Sequence, residues 1–233
     1  MKRTTLDRLL AARAANRPAA VLRWLREHDE ALVVAGEAVV GGPIGDDILR
    51  AVADAHRRDR GTTIETSRGP LFIQVFNPPL RLIIVGAVHI AQALAPMAAL
   101  TGYDVTVVDP RRAFASDARF PDVRVSREWP DDALEELHPD ARTAVVTLTH
   151  DPKLDDPALD VALRSAAFYV AALGSRRTHA SRLERLGELG HDVATLGRIR
   201  GPAGLAIGAV SPAEIAVSVM AEMTKALRLD MAT

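Results

Sequence analysis

The hydrophobic pattern of this chain changes at Asn77. Before it, short apolar runs separated by polar and glycine-containing turns predict five strands and two helices. After it, nearly continuous apolar runs alternate with stretches of helical periodicity, which is typical of parallel strands covered by helices on both faces. Pro78 and Pro79 mark the change because neither can donate a backbone hydrogen bond. We therefore predict a small mixed α+β domain at residues 1–77 and an α/β domain with a parallel sheet at residues 78–233.

The predicted elements follow from these patterns. In the first domain, strands are expected at 19–22, 31–35, 38–40, 62–66 and 71–76, and helices at 5–15 and 46–58. In the second, strands are expected at 82–85, 105–108, 123–125, 144–148 and 168–173, and helices at 90–100, 131–137, 157–165, 177–189 and 212–229. Ser211, Pro212 and Glu214 fit a capping box with proline at the first helical position. The apolar stretch from Ile215 to Met220 belongs either to the core or to a homodimer interface.

The most informative segment is the apolar run that ends at Val85 and is followed by Gly86 and a helical stretch. A second apolar run ends at Val108 and is followed by Asp109, which lies 23 positions after Gly86. This is close to the spacing at which an acid meets a ribose hydroxyl in nucleotide-binding βαβ units, so we predict a Rossmann-like sheet. The middle glycine of the usual G-x-G-x-x-G/A motif is Val88 here, and a β-branched side chain at that position is expected to crowd a pyrophosphate.

Ligands of such sheets bind outside the carboxyl ends of the strands, so the residues that follow the predicted strands should share one rim. We predict ligand contacts at Gly86, Ala87, Val88 and His89, at Asp109 and Arg111, at Thr149, His150 and Asp151, and at Gly174, Ser175, Arg176 and Arg177. Arg111, two residues after Asp109, could bind the 2′-phosphate of NADP. The sequence therefore leaves the choice between NAD and NADP open.

The two arginines after Ser175 oppose the macrodipole if they lie in a first helical turn, unless an anion sits between them. A phosphate is the natural candidate, with Ser175 as the helix cap. The alternative is that both arginines point to solvent or pair with acids. His89 stands at the start of a helix, where it either touches a ligand phosphate or is a partly exposed helix-start residue.

His150 and Asp151 allow three interpretations. They orient or protonate a ligand, they bind a metal with Asp155 and Asp156, or they are structural, with Asp151 capping the next helix. The other histidines lie in polar contexts and are expected at the surface; they are His28, His56, His138, His179 and His191.

Composition narrows the functional classes. Apolar residues make up 48% and charged residues 25% of the 233 residues, which is ordinary for a globular protein. A net charge of −1 gives no bias toward nucleic acid or a membrane surface. There is no cysteine, which excludes disulfides, thiolate metal sites and thiol nucleophiles. No signal core and no run of about 18 apolar residues is present, so we expect a cytoplasmic protein without a membrane partner.

Seven stretches carry a family resemblance. They are residues 86–94, 107–111, 119–121, 146–151, 169–177, 201–209 and 211–217. In this order they resemble the XdhC/CoxI family of accessory factors for the maturation of xanthine dehydrogenase and related molybdenum hydroxylases. The resemblance implies a Rossmann-like C-terminal domain and a protein that binds molybdenum cofactor, a pterin with a phosphate, and hands it to an apo molybdenum hydroxylase. On this view the protein is a chaperone-like factor and not an enzyme.

The chain departs from the family pattern at three places. The pattern has a glycine where Val88 stands, an acid where Ala206 stands, and a cysteine after a Gly-Gly pair where Pro43 stands. Two other functions therefore stay open. One is an NAD(P)-dependent oxidoreductase, although no clear catalytic set accompanies the βαβ unit. The other is a nucleotide-sensing regulatory protein whose rim site controls assembly.

Overall fold

The computed structural model describes residues 1–229, and the chain divides into two compact units at Pro78 and Pro79. The first unit contains a five-stranded antiparallel sheet in the order β3-β2-β1-β5-β4. Its elements are α1 (Arg3–Ala14), β1 (Ala19–Trp24), β2 (Glu30–Val34), β3 (Glu37–Val40), α2 (Asp46–Arg58), β4 (Thr62–Thr66) and β5 (Gly69–Phe76).

The central strand of this first sheet is buried on both faces. Ala20 and Leu22 pack in the cluster that contains α2, whereas Ala19 and Val21 pack in the cluster that contains α1. Because successive side chains of a strand point to opposite faces, the two helices cover opposite sides of the sheet. This explains why the apolar run of β1 is continuous.

The second unit contains a six-stranded parallel sheet in the order β11-β10-β9-β6-β7-β8. Its elements are β6 (Leu80–Val85), α3 (His89–Leu100), β7 (Tyr103–Val108), β8 (Arg124–Ser126), α4 (Pro130–Leu137), β9 (Thr143–Thr147), α5 (Pro152–Arg164), β10 (Tyr169–Ala172), α6 (Arg176–Glu188), α7 (Val193–Leu196), β11 (Ile199–Arg200) and α8 (Pro212–Arg228). The strand order reverses between β6 and β9, which makes the gap between their carboxyl ends the topological switch point.

Helices cover both faces of the parallel sheet. Leu82 and Ile84 pack in a cluster with residues of α3 and α8, and Ile83 and Val85 pack in a second cluster with residues of α4, α5 and α6. The predicted α/β class with a Rossmann-like sheet is confirmed. The capping box is also present, since Glu214 N donates to Ser211 Oγ and Ser211 N donates to Glu214 Oε2.

One helix start was predicted wrongly, and two short elements were not predicted. Helix α5 begins at Pro152 and not at Pro157, because Asp151 caps it and Pro157 is accommodated inside the helix. The short elements α7 and β11 carry too few residues to show a periodic pattern and were not predicted.

The apolar stretch of α8 lies mostly against the core. Ala216 and Val219 are buried, Ile215 and Met220 pack against the same cluster, and Val217 is half exposed. Its part in a homodimer stays a prediction. Within residues 1–229, no helix combines the length and the apolar character that crossing a membrane requires.

Candidate functional site

The loops after β6 and β9 touch each other at the switch point. Gly86 has φ +111°, and a Cβ at this position would lie 2.7 Å from Thr149 Cγ2 and 3.3 Å from Thr149 N. Glycine is therefore required twice over, by the backbone conformation and by the close approach of the neighbouring loop. This contact joins the predicted site residues after β6 to those after β9.

The amino end of α3 follows directly from this turn. Val88 is the N-cap with φ −90° and ψ 178°, and no side chain of the described residues caps the helix. This extended conformation suits a β-branched residue, and the half-buried Val88 side chain packs against the core. His89 is exposed at the first helical position, so the first-turn amides and an imidazole lie beside the switch point.

Asp109 lies at the end of β7 and is completely buried. Its Oδ2 accepts a hydrogen bond from Ala87 N at 2.8 Å, and its Oδ1 accepts one from Arg111 N at 3.0 Å. The Arg111 guanidinium adds two bonds, from Nε to Oδ1 at 2.9 Å and from Nη2 to Oδ2 at 2.8 Å. In this conformation the carboxylate anchors the turn after β6 and presents no exposed oxygen to a ribose.

The electrostatics of this pair favour the charged forms. Burial alone raises the pKa of Asp109, but the bonds from Arg111 and Ala87 outweigh it and hold the pKa below the usual value. The same pairing raises the pKa of Arg111. The half-buried guanidinium also stacks over the Phe114 ring, 4.5 Å from its centroid.

The Asp155 carboxylate accepts hydrogen bonds from the loop after β9. Its Oδ1 accepts from Thr149 Oγ1 at 2.7 Å and from Thr149 N at 3.3 Å, and its Oδ2 accepts from His150 N at 3.1 Å. His150 itself is exposed and has φ +62°, an unusual conformation for a residue other than glycine. Asp151 turns away from this network and caps α5, accepting from Lys153 N at 3.0 Å.

The loop after β10 leads into α6. Ser175 caps this helix through a bond from Thr178 N to Ser175 Oγ at 3.1 Å, as the sequence predicted. Arg176 and Arg177 occupy its first turn, are exposed, and form no ion pair within residues 1–229. The structure therefore places their charge in solvent near the amino end of α6, and it shows no contact between them and the other predicted site residues.

Arg182 links the loops after β9 and β10, and the sequence did not single it out. It is 2% exposed, donates from Nη2 to Leu173 O at 2.9 Å, and lies with Nη2 3.6 Å from Asp155 Oδ2. Burial moves both pKa values toward the neutral forms, raising that of Asp155 and lowering that of Arg182. The only signal in the sequence was an arginine five residues after Arg177, the last residue of the predicted site.

The metal interpretation of His150 and its neighbours does not fit. Asp155 is occupied by the Thr149–His150 backbone, and Asp156 forms a bidentate pair with Arg185. In the part of the chain that the structure describes, no three His, Asp or Glu residues could hold a metal ion.

Three of the five histidines expected at the surface are partly or largely buried, because the segments around them fold back onto neighbouring elements. His191 is 6% exposed in its side chain and pairs with Asp160 at 2.6 Å. His179 packs against Gly201, and His56 contacts Asn77. His28 and His138 are exposed as predicted.

Comparison with known proteins identifies the family. Residues 82–223 match the model of the XdhC Rossmann domain, which is more than half of the chain. The chain belongs to the XdhC family.

The chain is also similar to named proteins. The molybdenum cofactor insertion chaperone PaoD of Escherichia coli (strain K12) is 37% identical over 148 residues, 64% of this chain and 40% of PaoD. A probable xanthine dehydrogenase subunit of Bacillus subtilis (strain 168) is 34% identical over 178 residues, 73% of this chain and 52% of that protein. The chain thus spans about half or less of the length of these relatives.

The fold is shared with a solved structure. A xanthine dehydrogenase from Bacillus halodurans aligns with a TM-score of 0.75 and 23% identity, over 97% of this chain and 67% of that one.

Proposed function

We propose that this XdhC-family protein is a maturation factor that binds molybdenum cofactor at the rim of its parallel sheet and delivers it to a molybdenum hydroxylase of the xanthine dehydrogenase type. The name of PaoD describes such a chaperone, and PaoD is 37% identical to this chain over the aligned residues. In this role the cofactor is cargo that the protein carries and releases. The apolar stretch of α8 also predicts a homodimer of this chain, and the proposed function does not depend on it.

One structural observation carries the proposal. At the switch point of the sheet, the first turn of α3 has no side-chain cap within the described residues, and its amides are available for an anion. The phosphate of a pterin is such an anion. Exposed Arg176 and Arg177, which form no ion pair within the described residues, add positive charge near the start of α6, which lies along the same rim.

The rest of the rim suits a ligand that needs no ribose contact. Asp109 is buried and engaged by Ala87 and Arg111, so it does not offer the acceptor that a nucleotide ribose would use. A phosphopterin does not require that acceptor. His150 and His89, both exposed beside the switch point, are the side chains that we expect to contact the ligand.

The strand order favours a second candidate. The order β11-β10-β9-β6-β7-β8 is that of dinucleotide-binding sheets, so an NAD(P)-dependent oxidoreductase or a nucleotide-sensing protein stands as the alternative. Burial of Asp109 counts against it.

The test is to purify the protein anaerobically from a host that makes molybdenum cofactor, denature it, and measure the fluorescence of the oxidised pterin. PaoD purified in parallel is the positive control. We expect near-stoichiometric pterin and, on mixing with an apo xanthine dehydrogenase, recovery of its activity. Pterin absent from this chain but present on PaoD would overturn the proposal, and nucleotide bound instead would favour the alternative.

A further inference from the structure

Two buried charges connect the loops of the rim. The Asp155 carboxylate accepts three hydrogen bonds from Thr149 and His150, the residues after β9. Arg182 donates to the carbonyl oxygen of Leu173, the first residue after β10, and its Nη2 lies 3.6 Å from Asp155 Oδ2. A side chain on Gly174 would already lie 3.8 Å from this Nη2. The pair therefore forms a short bridge beneath both loops.

The Asp155–Arg182 pair has features that are unfavourable in a stabilising ion pair. Asp155 is 1% and Arg182 2% exposed, and Nε and Nη1 of Arg182 have no hydrogen-bond partner within residues 1–229. A buried arginine with two unpartnered donor nitrogens is unfavourable for folding, because the lost hydration is not replaced. Stability alone therefore gives no reason for a charge at this position.

The next residue along α5 provides the contrast. Asp156 binds Arg185 of α6 in a bidentate pair, with distances of 2.6 Å to Nε and 3.1 Å to Nη2. This pair joins the same two helices, satisfies its donors and is partly open to solvent. It touches neither rim loop. One pair thus holds the helices together, and the other reaches the loops.

We propose that Asp155 and Arg182 are positioning residues that set the separation of the loops after β9 and β10, and so place His150 for the ligand; this rests on the proposed function of the rim. His150 adopts φ +62°, which is unfavourable for histidine, and the bond from its amide to Asp155 holds it there. Arg182 fixes the position of that carboxylate relative to Leu173. Loss of either residue frees the loop while the helices stay packed.

The first measurement compares ligand affinity across matched variants. Asp155→Asn and Arg182→Met remove the bridge, and Asp156→Asn and Arg185→Met remove the neighbouring pair. Arg182→Lys keeps the positive charge but lacks the planar guanidinium. It replaces Arg182→Met in the comparison if that variant does not fold. The probe is molybdopterin extracted from a molybdenum hydroxylase and added anaerobically. We expect Kd to rise about tenfold in the bridge variants, by analogy with residues that support metal ligands, and to change less than about threefold in the others.

Amide hydrogen exchange supplies a readout that does not need the ligand. Arg182 touches neither Thr149 nor His150 through a hydrogen bond, so faster exchange of these two amides in Arg182→Met would report the coupling directly. We expect it in Arg182→Met and not in Arg185→Met.

The outcomes separate this inference from the proposed function. If the unmodified protein does not bind molybdopterin, the proposed function fails and hydrogen exchange alone decides whether the bridge couples the loops. If it binds and all four variants lose affinity in proportion to stability, or none does, the positioning role is overturned. Unchanged exchange at Thr149 and His150 in Arg182→Met overturns it as well.

Discussion

Asp109 Oδ2 lies 2.8 Å from the amide nitrogen of Ala87, so the acid that follows β7 holds the turn that follows β6. The sequence spacing suggested an acid free to bind a ribose. The structure instead assigns both carboxylate oxygens to Ala87 and Arg111. The acid of the βαβ unit therefore shapes the rim through the protein backbone.

Replacing Asp109 by Asn should destabilise the second unit. The change removes the charge that Arg111 pairs with and weakens four bonds to a buried group, and one bond to a charged group contributes about 1.5–3 kcal/mol. We expect a loss of at least about 2 kcal/mol in the free energy of unfolding, measured with urea. Asp117→Asn is the control because that side chain is 90% exposed and pairs with Arg127 at the surface. Equal effects of the two changes would contradict the role of Asp109.

The same carboxylate predicts a pH dependence. The pKa of Asp109 is lowered in the folded state, so its contribution to stability is complete above the unfolded pKa of about 3.9. The contribution is lost as the pH falls through the lower, folded pKa. We expect the stability difference between the natural protein and Asp109→Asn to shrink below about pH 4, measured by urea unfolding at several pH values. A difference that is constant from about pH 7 to about pH 2 would refute this.

A methyl group at Gly86 should force the loops after β6 and β9 apart. Gly86→Ala adds backbone strain at φ +111° and places Cβ 2.7 Å from Thr149 Cγ2. Gly102→Ala is the matched control, since Gly102 has φ +90° and open space around its missing Cβ. Backbone strain costs both variants about 1–3 kcal/mol. Because only the new Cβ of Gly86→Ala meets a close neighbour, its loss of unfolding free energy in urea should exceed that of the control by about 1 kcal/mol or more. Equal losses of unfolding free energy in the two variants would mean that the loops move apart at no measurable cost.

Much of the fold could be predicted because the apolar periods are strong. The boundaries of α2 and β4 were predicted to the residue, and the parallel pairing after Pro79 follows from the helical stretches between the strands. The start of α5 could not be decided from pattern alone, because Pro152 and Pro157 both fit the first helical position. Only the hydrogen bond from Lys153 N to the Asp151 side chain decides where this helix begins.

The candidate site was predictable only in outline. Topology requires the residues after parallel strands to share a rim, so Gly86 and Thr149 could be expected near each other. Which charges are buried could not be predicted. Arg182 lies in a helix with several surface arginines, and only the packing of α6 against α5 turns it toward Asp155. Asp109 likewise needed the position of Ala87 before its role could be assigned.

Placing at position 88 the glycine that the family resemblance implies should strengthen ligand binding. The backbone there is extended, so Val88→Gly relieves no strain, and it removes a half-buried side chain beside the free end of α3. We expect a stability loss of about 1 kcal/mol and a lower Kd for molybdopterin, measured by anaerobic titration. Val88→Ala is the control, since it loses packing but keeps a Cβ. An unchanged Kd in Val88→Gly would mean that the valine side chain does not crowd the ligand.

The arginines that begin α6 should matter for binding and not for stability. Arg176 and Arg177 are exposed and oppose the helix dipole, so Arg176→Ala with Arg177→Ala should change the free energy of unfolding by less than about 0.5 kcal/mol. If both contact a phosphate, Kd for molybdopterin should rise about tenfold or more, and the salt dependence of binding should weaken. Arg3→Ala is the control, because Arg3 is also an exposed first-turn arginine but belongs to α1 of the other unit. A Kd that does not change in the Arg176→Ala, Arg177→Ala variant would mean that the ligand phosphate does not contact α6. The backbone amides of the first turn of α3 would then have to bind the phosphate without a charged side chain.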